Sequence, residues 1–320
     1  MDGLARAGVR RARVKLPVPV PPTNAWYLGR GEVTLIDCGL LWGDAMERLR
    51  EPLEAGERIA RILVTHGHPD HHGAAAALSA EHGCRVLCHP FDSRAVREYR
   101  ATLLERFSRW AKAAAENGMP EVLVAPMEEH YRRLASFGAD VARVERINDG
   151  DRVEAGGIEL DAIHVPGHTA GSLVFLARRQ RLLFSGDTVL PGITPNPFFE
   201  GLFDEASGPG PFLESLRRLR GLNVDVVLPG HGDPLRNLGA VLDSYERHHA
   251  DRRSALVECL TSRGGATGFE VVETLFPNAS GVDRWLAMAE VLGHLQHLEA
   301  LGEAQRFGRQ GGVLSWRAAP

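Results

Sequence analysis

The sequence of 320 residues contains 44% hydrophobic and 24% charged residues, and its formal net charge is −4 at pH 7. These values are those of an ordinary globular protein long enough for two domains, and the acidic balance argues against nucleic-acid binding through overall positive charge. The N-terminal residues lack the apolar stretch of a secretory signal, and no apolar run approaches the roughly 20 residues that span a membrane. We therefore expect a cytoplasmic protein.

The first part of the chain predicts alternating strands and helices. Apolar and β-branched runs predict strands, and helical periodicity predicts helices, in this order: strands 25–28 and 33–37, helix 45–50, strand 59–65, helix 74–81 and strand 85–89. The stretch THGHPDHHG, residues 65–73, stands at the end of the third of these strands. Ligand sites in α/β sheets favour this position.

Residues 93–138 differ from their surroundings and predict a helical insertion. Apolar residues recur at helical spacing as far as Ala114, and a second helix is predicted over 127–137, after Pro120 and Pro126. Two interpretations stay open. The apolar stripe packs on the body of the protein, or the insertion is a lid that shapes a substrate pocket.

The remaining part predicts a second group of strands and then a helical end. Strands are predicted at 152–154, 158–165, 172–177, 181–185 and 224–228, with a helix at 211–220. Later helices are predicted at 238–260, 269–275 and 285–301, before a two-stranded wing around Gly311 and Gly312. Three helices and a wing are the order of a winged-helix domain. We therefore divide the chain into a larger first domain, 1–236, and a winged-helix domain, 237–320.

Four histidines and an aspartate in residues 65–73 predict a metal site. His66 and His68 stand two residues apart at a strand end, where side chains point the same way and can face one ion. Asp70 and His71 follow as the chain turns into a helix, and they suit a neighbouring ion. Imidazole and carboxylate groups are the ligands that zinc and similar ions prefer.

Three later motifs each place one ligand-type residue in a loop of small residues after a strand. They are PGHTAGS with His168, SGDT with Asp187, and PGHGD with His231. One such residue alone is most often only solvated. Together with the first motif they predict seven ligand-type residues on one rim of an α/β sheet.

The motifs HGHPDHHG, PGHTAGS, SGDT and PGHGD, in this order, resemble the signature of the metallo-β-lactamase superfamily over about residues 16–236. The resemblance implies an α/β fold, the αββα sandwich, with a dinuclear metal site at one edge. It also implies a set of ligands: His66, His68 and His168 for the first ion, Asp70, His71 and His231 for the second, and Asp187 for both. Asp37, in IDCG at the end of an early strand, would orient ligand imidazoles.

The resemblance implies two divalent metal ions as cofactors. Zinc is expected, with iron and manganese as alternatives. Two ions about 3.5–4 Å apart hold a bridging hydroxide as the nucleophile at neutral pH. Asp187 and Asp70 are therefore assigned catalytic roles, and Asp70 is a candidate to hold a proton during turnover. The expected reaction is hydrolysis of an ester, thioester or lactone of a small molecule.

The loop after SGDT, VLPGITPNPFFEG, is poor in charged residues, which favours a neutral substrate group. Phe198, Phe199 and Phe203 form either an apolar wall for that group or a packed turn. His72 lies outside the family pattern, and we expect it to face solvent or cap the helix. The other histidines are expected at surface or core positions: His82, His89, His130, His164, His248, His249, His294 and His297.

Two other functions stay open. The C-terminal region resembles that of the lactamase-β-2-like branch, which includes an RNA-cleaving enzyme. However, residues 243–320 contain 10 acidic and 8 basic residues, and the candidate recognition helix, 285–301, has no Lys or Arg. We therefore expect a structural or dimerising role, no nucleic-acid or membrane partner, and a homo-oligomer as one option. The third function is that of a persulfide dioxygenase with one iron. A flavodiiron enzyme would carry Glu in place of His68.

Overall fold

The computed structural model describes residues 8–18, 20–196, 206–308 and 312–320. Six strands form the first sheet in chain order: β1 (Val9–Val14), β2 (Thr23–Leu28), β3 (Glu32–Ile36), β4 (Arg58–Leu63), β5 (Arg85–Cys88) and β6 (Val144–Arg146). Strands β1 to β3 pair antiparallel, and β3 to β6 pair parallel. Parallel pairing brings the carboxyl ends of β3, β4 and β5 to one edge of this sheet.

Five strands form the second sheet: β7 (Arg152–Ala155), β8 (Ile158–His164), β9 (Leu173–Ala177), β10 (Leu182–Gly186) and β11 (Val226–Pro229). Their order is β11-β10-β9-β8-β7, and only β10 and β11 pair parallel. The loops that carry the three later motifs leave β8, β10 and β11 at one edge.

The two sheets pack face to face because their side chains alternate between two cores. Ile36 belongs to the core between the sheets, whereas its neighbour Leu35 belongs to the core on the outer face. Trp26 of the first sheet meets Phe184 of the second, edge to face, with ring centroids 6.2 Å apart. Phe175 lies in the same inner core.

The helices within the described residues are α1 (Ala45–Arg50), α2 (Pro69–His72), α3 (Ala75–His82), α4 (Ser93–Arg97), α5 (Tyr99–Glu116), α6 (Glu121–Leu134), α7 (Pro209–Arg220), α8 (Leu238–Arg263), α9 (Gly268–Leu275) and α10 (Gly281–Ala300). Leu49 of α1 and Leu78 of α3 pack on the outer face of the first sheet. Leu216 of α7 and Leu242 of α8 pack on that of the second. The molecule is therefore the mixed α/β sandwich that the resemblance implied.

Strand β1 and helix α6 depart from the sequence-based predictions. The first, VRRARV, was not predicted because three arginines obscure its alternation, but Arg10 pairs with Glu57 and Arg13 with Asp233 at its edge. Helix α6 begins six residues before the predicted start and contains Pro126. A proline removes one helical hydrogen bond, yet the helix continues through it and buries Met127 and Tyr131.

The helical insertion and the C-terminal region share one hydrophobic core. Trp110 of α5 is fully buried, and its ring centroid lies 5.1 Å from that of Trp285 in α10. The same core contains Tyr131 of α6 and Trp316, which belongs to the closing hairpin of β12 (Ala304–Gly308) and β13 (Leu314–Ala318). The apolar stripe of the insertion thus packs on the C-terminal helices. The division of the chain at residue 236 stays a prediction.

Across the part of the chain that the structure describes, no helix has both the length and the apolarity needed to cross a bilayer.

Candidate metal centre

The motif of residues 65–73 leaves β4 in an extended conformation and then enters helix α2. His68 is extended, with φ −80° and ψ 142°, and Pro69 begins the helix, where its fixed φ and missing N–H are tolerated. The extended part presents His66 and His68. The helical turn presents Asp70 and His71 at a neighbouring position.

The structure brings all seven sequence-predicted ligand residues together at one edge of the sandwich. In each of three groups, the possible ligand atoms lie within 4.8 Å of one another. The groups are His66, His68 and His168; Asp70, His71 and His231; and His66, His71 and Asp187. The first two groups are the two triads implied by the resemblance, and the third joins them.

Asp187 lies between the two triads. Its Oδ1 is 3.4 Å from Nε2 of His71, and its Oδ2 is 3.5 Å from Nε2 of His231 and 3.8 Å from Nε2 of His168. Asp70 closes the second triad, with its Oδ2 3.2 Å from Nε2 of His231. One carboxylate therefore faces imidazoles of both triads.

The donor set fits metal ions because several of its atoms are buried without a hydrogen-bond partner. Within the described residues, Nε2 of His71, Nε2 of His168 and Oδ1 of Asp187 have none. Buried polar atoms of this kind are rare and need an explanation. All three point into the same space, and coordination to a divalent cation would satisfy them together.

Acceptors behind the rings hold three of the imidazoles with Nε2 toward this space. Nδ1 of His71 lies 2.8 Å from a carboxylate oxygen of Asp37. Nδ1 of His168 lies 2.9 Å from the carbonyl oxygen of Asn196, and Nδ1 of His231 lies 2.9 Å from that of Pro21. Since a carbonyl or carboxylate oxygen only accepts, each Nδ1 carries a proton, and Nε2 is the ring atom that remains for a metal to bind.

Asp37 also acts on His66, through Thr65. Its carboxylate accepts hydrogen bonds from the Thr65 backbone N–H at 2.8 Å and from the Thr65 hydroxyl at 2.7 Å. The hydroxyl oxygen in turn lies 3.0 Å from Nδ1 of His66 and can accept from it. Asp37 therefore orients one imidazole of each triad, which fits the positioning role that the resemblance implied.

A buried aspartate that the sequence did not single out ties the loops of the site together. Asp92 accepts from the Gly67 N–H at 2.7 Å, from the Thr169 hydroxyl at 2.6 Å and from the Gly171 N–H at 3.1 Å. A Cβ at Gly171 would lie 2.6 Å from the Asp92 carboxyl carbon, which is a collision, and a Cβ at Gly67 would lie 3.1 Å from it. The only sequence signal was an acid shortly after strand β5, which is too common to be informative.

The pKa values of buried histidines shift in opposite directions in the two triads. Burial, together with neighbouring imidazoles, holds the pKa of His66 well below its usual value and lowers that of His168 to about 4. Burial also acts to lower the pKa of His71 and His231, but nearby carboxylates outweigh it. The charge of Asp187 is the largest of these, and the pKa of His231 rises to about 9.

Both carboxylates of the site are held ionised. Burial acts to raise the pKa of Asp70 and of Asp187, but the imidazoles of His71 and His231 more than offset it, so that both pKa values fall below the usual range. Two ionised carboxylates therefore lie among the imidazoles of His71 and His231, next to the first triad. Such a site favours cations.

His72 is not at the surface, so the expectation that it faces solvent is wrong. It is buried at the end of α2, with Nε2 3.3 Å from the Gly67 carbonyl and its ring edge-on to Tyr99 at 5.6 Å. Burial lowers its pKa to about 3. The side chain turns inward because the helical insertion covers this end of α2.

In the described ranges, no further group of three ligand-type residues includes any of the eight histidines expected at surface or core positions. Phe198, Phe199 and Phe203, expected beside the substrate, lie outside the described residues.

Comparison with known proteins agrees with this site. A family model described as the metallo-beta-lactamase superfamily matches residues 18–231. The chain is 29% identical over 301 residues to a probable metallo-hydrolase from Bacillus subtilis, which covers 90% of this chain and 91% of the relative. It is 25% identical over 316 residues to an atrochrysone carboxyl ACP thioesterase from Aspergillus fumigatus, which covers 92% and 81%.

The similarity to solved structures extends over the C-terminal region. The crystal structure of a metallo-beta-lactamase family protein from Thermus thermophilus superposes with a TM-score of 0.80 at 27% identity. The match covers 97% of this chain and 98% of that protein. The three C-terminal helices and the hairpin are therefore part of an arrangement that a solved relative shares.

Proposed function

The chain belongs to the metallo-beta-lactamase superfamily, and from this membership we propose that it is a metal-dependent hydrolase of a small-molecule ester, thioester or lactone. The observation that carries the proposal is the position of Asp187 between two triads of ligand-type residues. Such a position suits a dinuclear site. The thioesterase among the relatives supports thioesters as one substrate class.

In this proposal the seven residues hold two divalent ions. His66, His68 and His168 hold the first, and Asp70, His71 and His231 hold the second. Asp187 contributes to both. Zinc suits these imidazole and carboxylate donors, as do iron and manganese to a lesser degree. The ions would supply Lewis acidity, which activates water for attack and stabilises the negative charge that develops on the substrate.

The residues of the chain do the positioning and hold the proton. Asp37 keeps His71 and, through Thr65, His66 in the orientation required for ligation. The side chain of Asp70 is 24% exposed, against 12% for Asp187, so it is the carboxylate that a substrate reaches more readily. We assign to Asp70 the additional role of holding a proton during turnover.

The described structure favours this proposal over ribonuclease activity. Helix α10, the candidate recognition helix, buries the face that includes Met288, Leu292 and Leu295 in the core shared with the insertion. It begins at Gly281, four residues before the predicted start, and so contains Arg284. A largely buried helix is poorly suited to enter a nucleic-acid groove.

For the C-terminal region, residues 237–320, we propose a winged-helix domain with a structural role. Helices α8, α9 and α10 followed by the hairpin β12–β13 support this assignment through their order. The core shared with residues 93–138 supports the structural role. A dimerising role is the alternative, and the oligomeric state in solution tests it.

The test of the proposed function combines metal analysis with a substrate panel. We expect two ions per chain, and hydrolysis of carbonyl substrates that a chelator abolishes and zinc restores. The panel contains thioesters, esters, lactones, phosphodiesters and RNA. Cleavage of RNA alone would establish the ribonuclease alternative. One iron per chain with oxygen consumption on a persulfide would establish the dioxygenase alternative, and either result overturns the proposal.

A further inference from the structure

We propose that a cavity beside Asp70 binds the apolar acyl chain of the substrate, an inference that rests on the proposed hydrolase function. The cavity has a volume of about 510 Å³, within the range of roughly 300–1,000 Å³ for small-molecule sites. Asp70, one of the candidate metal ligands, is part of its wall, so the cavity adjoins the candidate metal centre. We name it the Asp70 cavity.

Three separate parts of the chain build the Asp70 cavity. The segment before β2 contributes Leu16 and Val18, helix α6 of the insertion contributes Leu134, and the first turns of α10 contribute Val282 and Leu286. The wall is predominantly hydrocarbon. The insertion and the C-terminal region therefore complete a substrate site that the sandwich alone does not form.

The apolar side chains around the Asp70 cavity are unusually exposed. Val20, Val282 and Leu286 are 47%, 40% and 39% exposed, and all three line this cavity. Large apolar side chains that cluster at the mouth of a concave site indicate a surface that an apolar ligand covers. Scattered exposed side chains elsewhere would need no such explanation.

The charges of the cavity exclude an anionic occupant. Its charged side chains are Asp70 and Asp283, and no Lys or Arg is among the described residues of its wall. Burial and the nearby Arg133 lower the pKa of His130, so this ring is neutral near pH 7. A phosphate or carboxylate in this cavity would meet Asp283 and would find no Lys or Arg among the described residues of the wall. A hydrocarbon chain carries no charge, so its binding has no cost of charge desolvation, and the burial of its apolar surface is favourable.

The charge and polarity of the cavity wall also favour the acyl group of a thioester over its leaving group as the part that binds in the cavity. In thioesters of acyl carriers the leaving thiol arm is polar, because it contains amides, whereas the acyl group is mostly hydrocarbon. The Asp70 cavity is therefore the place of the acyl chain, with its carbonyl carbon at the metal centre.

The first test is a chain-length series of N-acetylcysteamine thioesters, from acetyl to octanoyl, with the leaving group held constant. We expect kcat/KM to rise about two- to fourfold with each added methylene, the upper value corresponding to about 0.8 kcal/mol per buried CH₂. A flat series, in an enzyme that does hydrolyse thioesters, overturns the inference and leaves the proposed function intact.

The second test uses matched variants on one helix. Leu286→Asp and Val282→Asp place a carboxylate in the cavity, and we expect the octanoyl-to-acetyl ratio of kcat/KM to fall at least tenfold. Leu301→Asp is the control, because Leu301 is 49% exposed at the opposite end of α10 and lies outside the cavity wall. An unchanged ratio in both cavity variants overturns the inference.

The third test needs no catalysis. Binding of the octanoyl thioester to the metal-free protein is measured by calorimetry, and we expect Leu286→Asp to weaken it at least tenfold and Leu301→Asp not to change it. If this result is obtained but the metal-loaded protein hydrolyses no substrate, the cavity assignment is supported and the proposed function is overturned. Binding that Leu286→Asp leaves unchanged would overturn the cavity assignment.

Discussion

The carboxylate of Asp92 accepts a hydrogen bond from the Thr169 hydroxyl at 2.6 Å, and this bond joins loops from the two sheets. Asp92 follows β5 of the first sheet, and Thr169 follows β8 of the second. Asp92 also accepts from the Gly67 N–H, between His66 and His68. The first triad contains histidines from both sheets. One buried acid therefore fixes the position of these histidines relative to each other.

Replacing Asp92 tests this connection. In Asp92→Ala, two backbone N–H groups and a hydroxyl lose their acceptor, so we expect a loss of about 1–3 kcal/mol in the free energy of unfolding. We also expect metal affinity to fall about 10- to 100-fold. Denaturant titration and metal competition measure the two effects. Asp140→Asn, at an exposed aspartate, is the control, and full metal affinity in Asp92→Ala would refute the connection.

Asp187→Ala is expected to lose bound metal and hydrolytic activity together, because the carboxylate faces imidazoles of both triads. Elemental analysis of the purified variant and a thioester assay measure this. Asp233→Ala is a matched control, since Asp233 belongs to the PGHGD motif but its side chain is 74% exposed. Retention of two ions and of activity in Asp187→Ala would show that the aspartate does not join the two sites.

Asp37 permits a graded comparison, because its backbone has a φ of +56°. Asn tolerates this left-handed region better than Ala does, and Asn also keeps one acceptor oxygen. We therefore expect Asp37→Ala to destabilise the protein more than Asp37→Asn. Both variants are expected to weaken metal binding about 10- to 100-fold, through His71 and His66. Thermal unfolding ranks the stabilities of the two variants, and metal competition measures their metal affinities. An equal loss of stability in Asp37→Ala and Asp37→Asn would contradict the backbone argument.

The shared core predicts that the insertion and the C-terminal region unfold together. Trp110→Ala removes a fully buried ring from the contact with Trp285, and we expect a loss of about 3–5 kcal/mol. Hydrogen exchange should show reduced protection in both α5 and α10. Val122→Ala, at a 76% exposed position of α6, should change little. Reduced protection in α5 alone would mean that the two regions are independent.

Two buried histidines of the C-terminal helices predict an acid-sensitive stability. Burial, with charge from neighbouring histidines, lowers the pKa of His249 to about 4 and of His294 to about 2. The unfolded chain, with a histidine pKa near 6.5, binds protons first as the pH falls. The stabilisation is therefore complete above about pH 6.5 and declines toward pH 4, by up to about 1.4 kcal/mol per pH unit for each histidine.

The measurement is the free energy of unfolding of the metal-free protein between pH 7 and pH 4. The double variant His249→Gln, His294→Gln should show a shallower decline than the unchanged chain, since the other titrating groups are common to both. Parallel curves would show that these two histidines do not carry the effect.

Much of the architecture follows from local pattern. Helix α1 lies where the spacing predicted it, and β4, β8 and β10 lie within a residue or two of their predicted bounds. Strand β1 could not be predicted, because its arginines pair with acids far along the chain. The start of α6 could not be predicted, because the helix continues through Pro126. The inward turn of His72 likewise depends on Tyr99, in the insertion that covers it.

The sequence by itself determined which seven residues meet at the edge of the sandwich. Few residue types ligate metals, and strand ends in such a fold converge on one edge, so local motifs carried that information. Only the tertiary structure decided what holds and surrounds them. The carbonyl groups of Pro21 and Asn196 have no signature in residue type, and the Asp70 cavity joins three segments far apart in the chain. Contacts of this kind depend on packing, which local spacing does not encode.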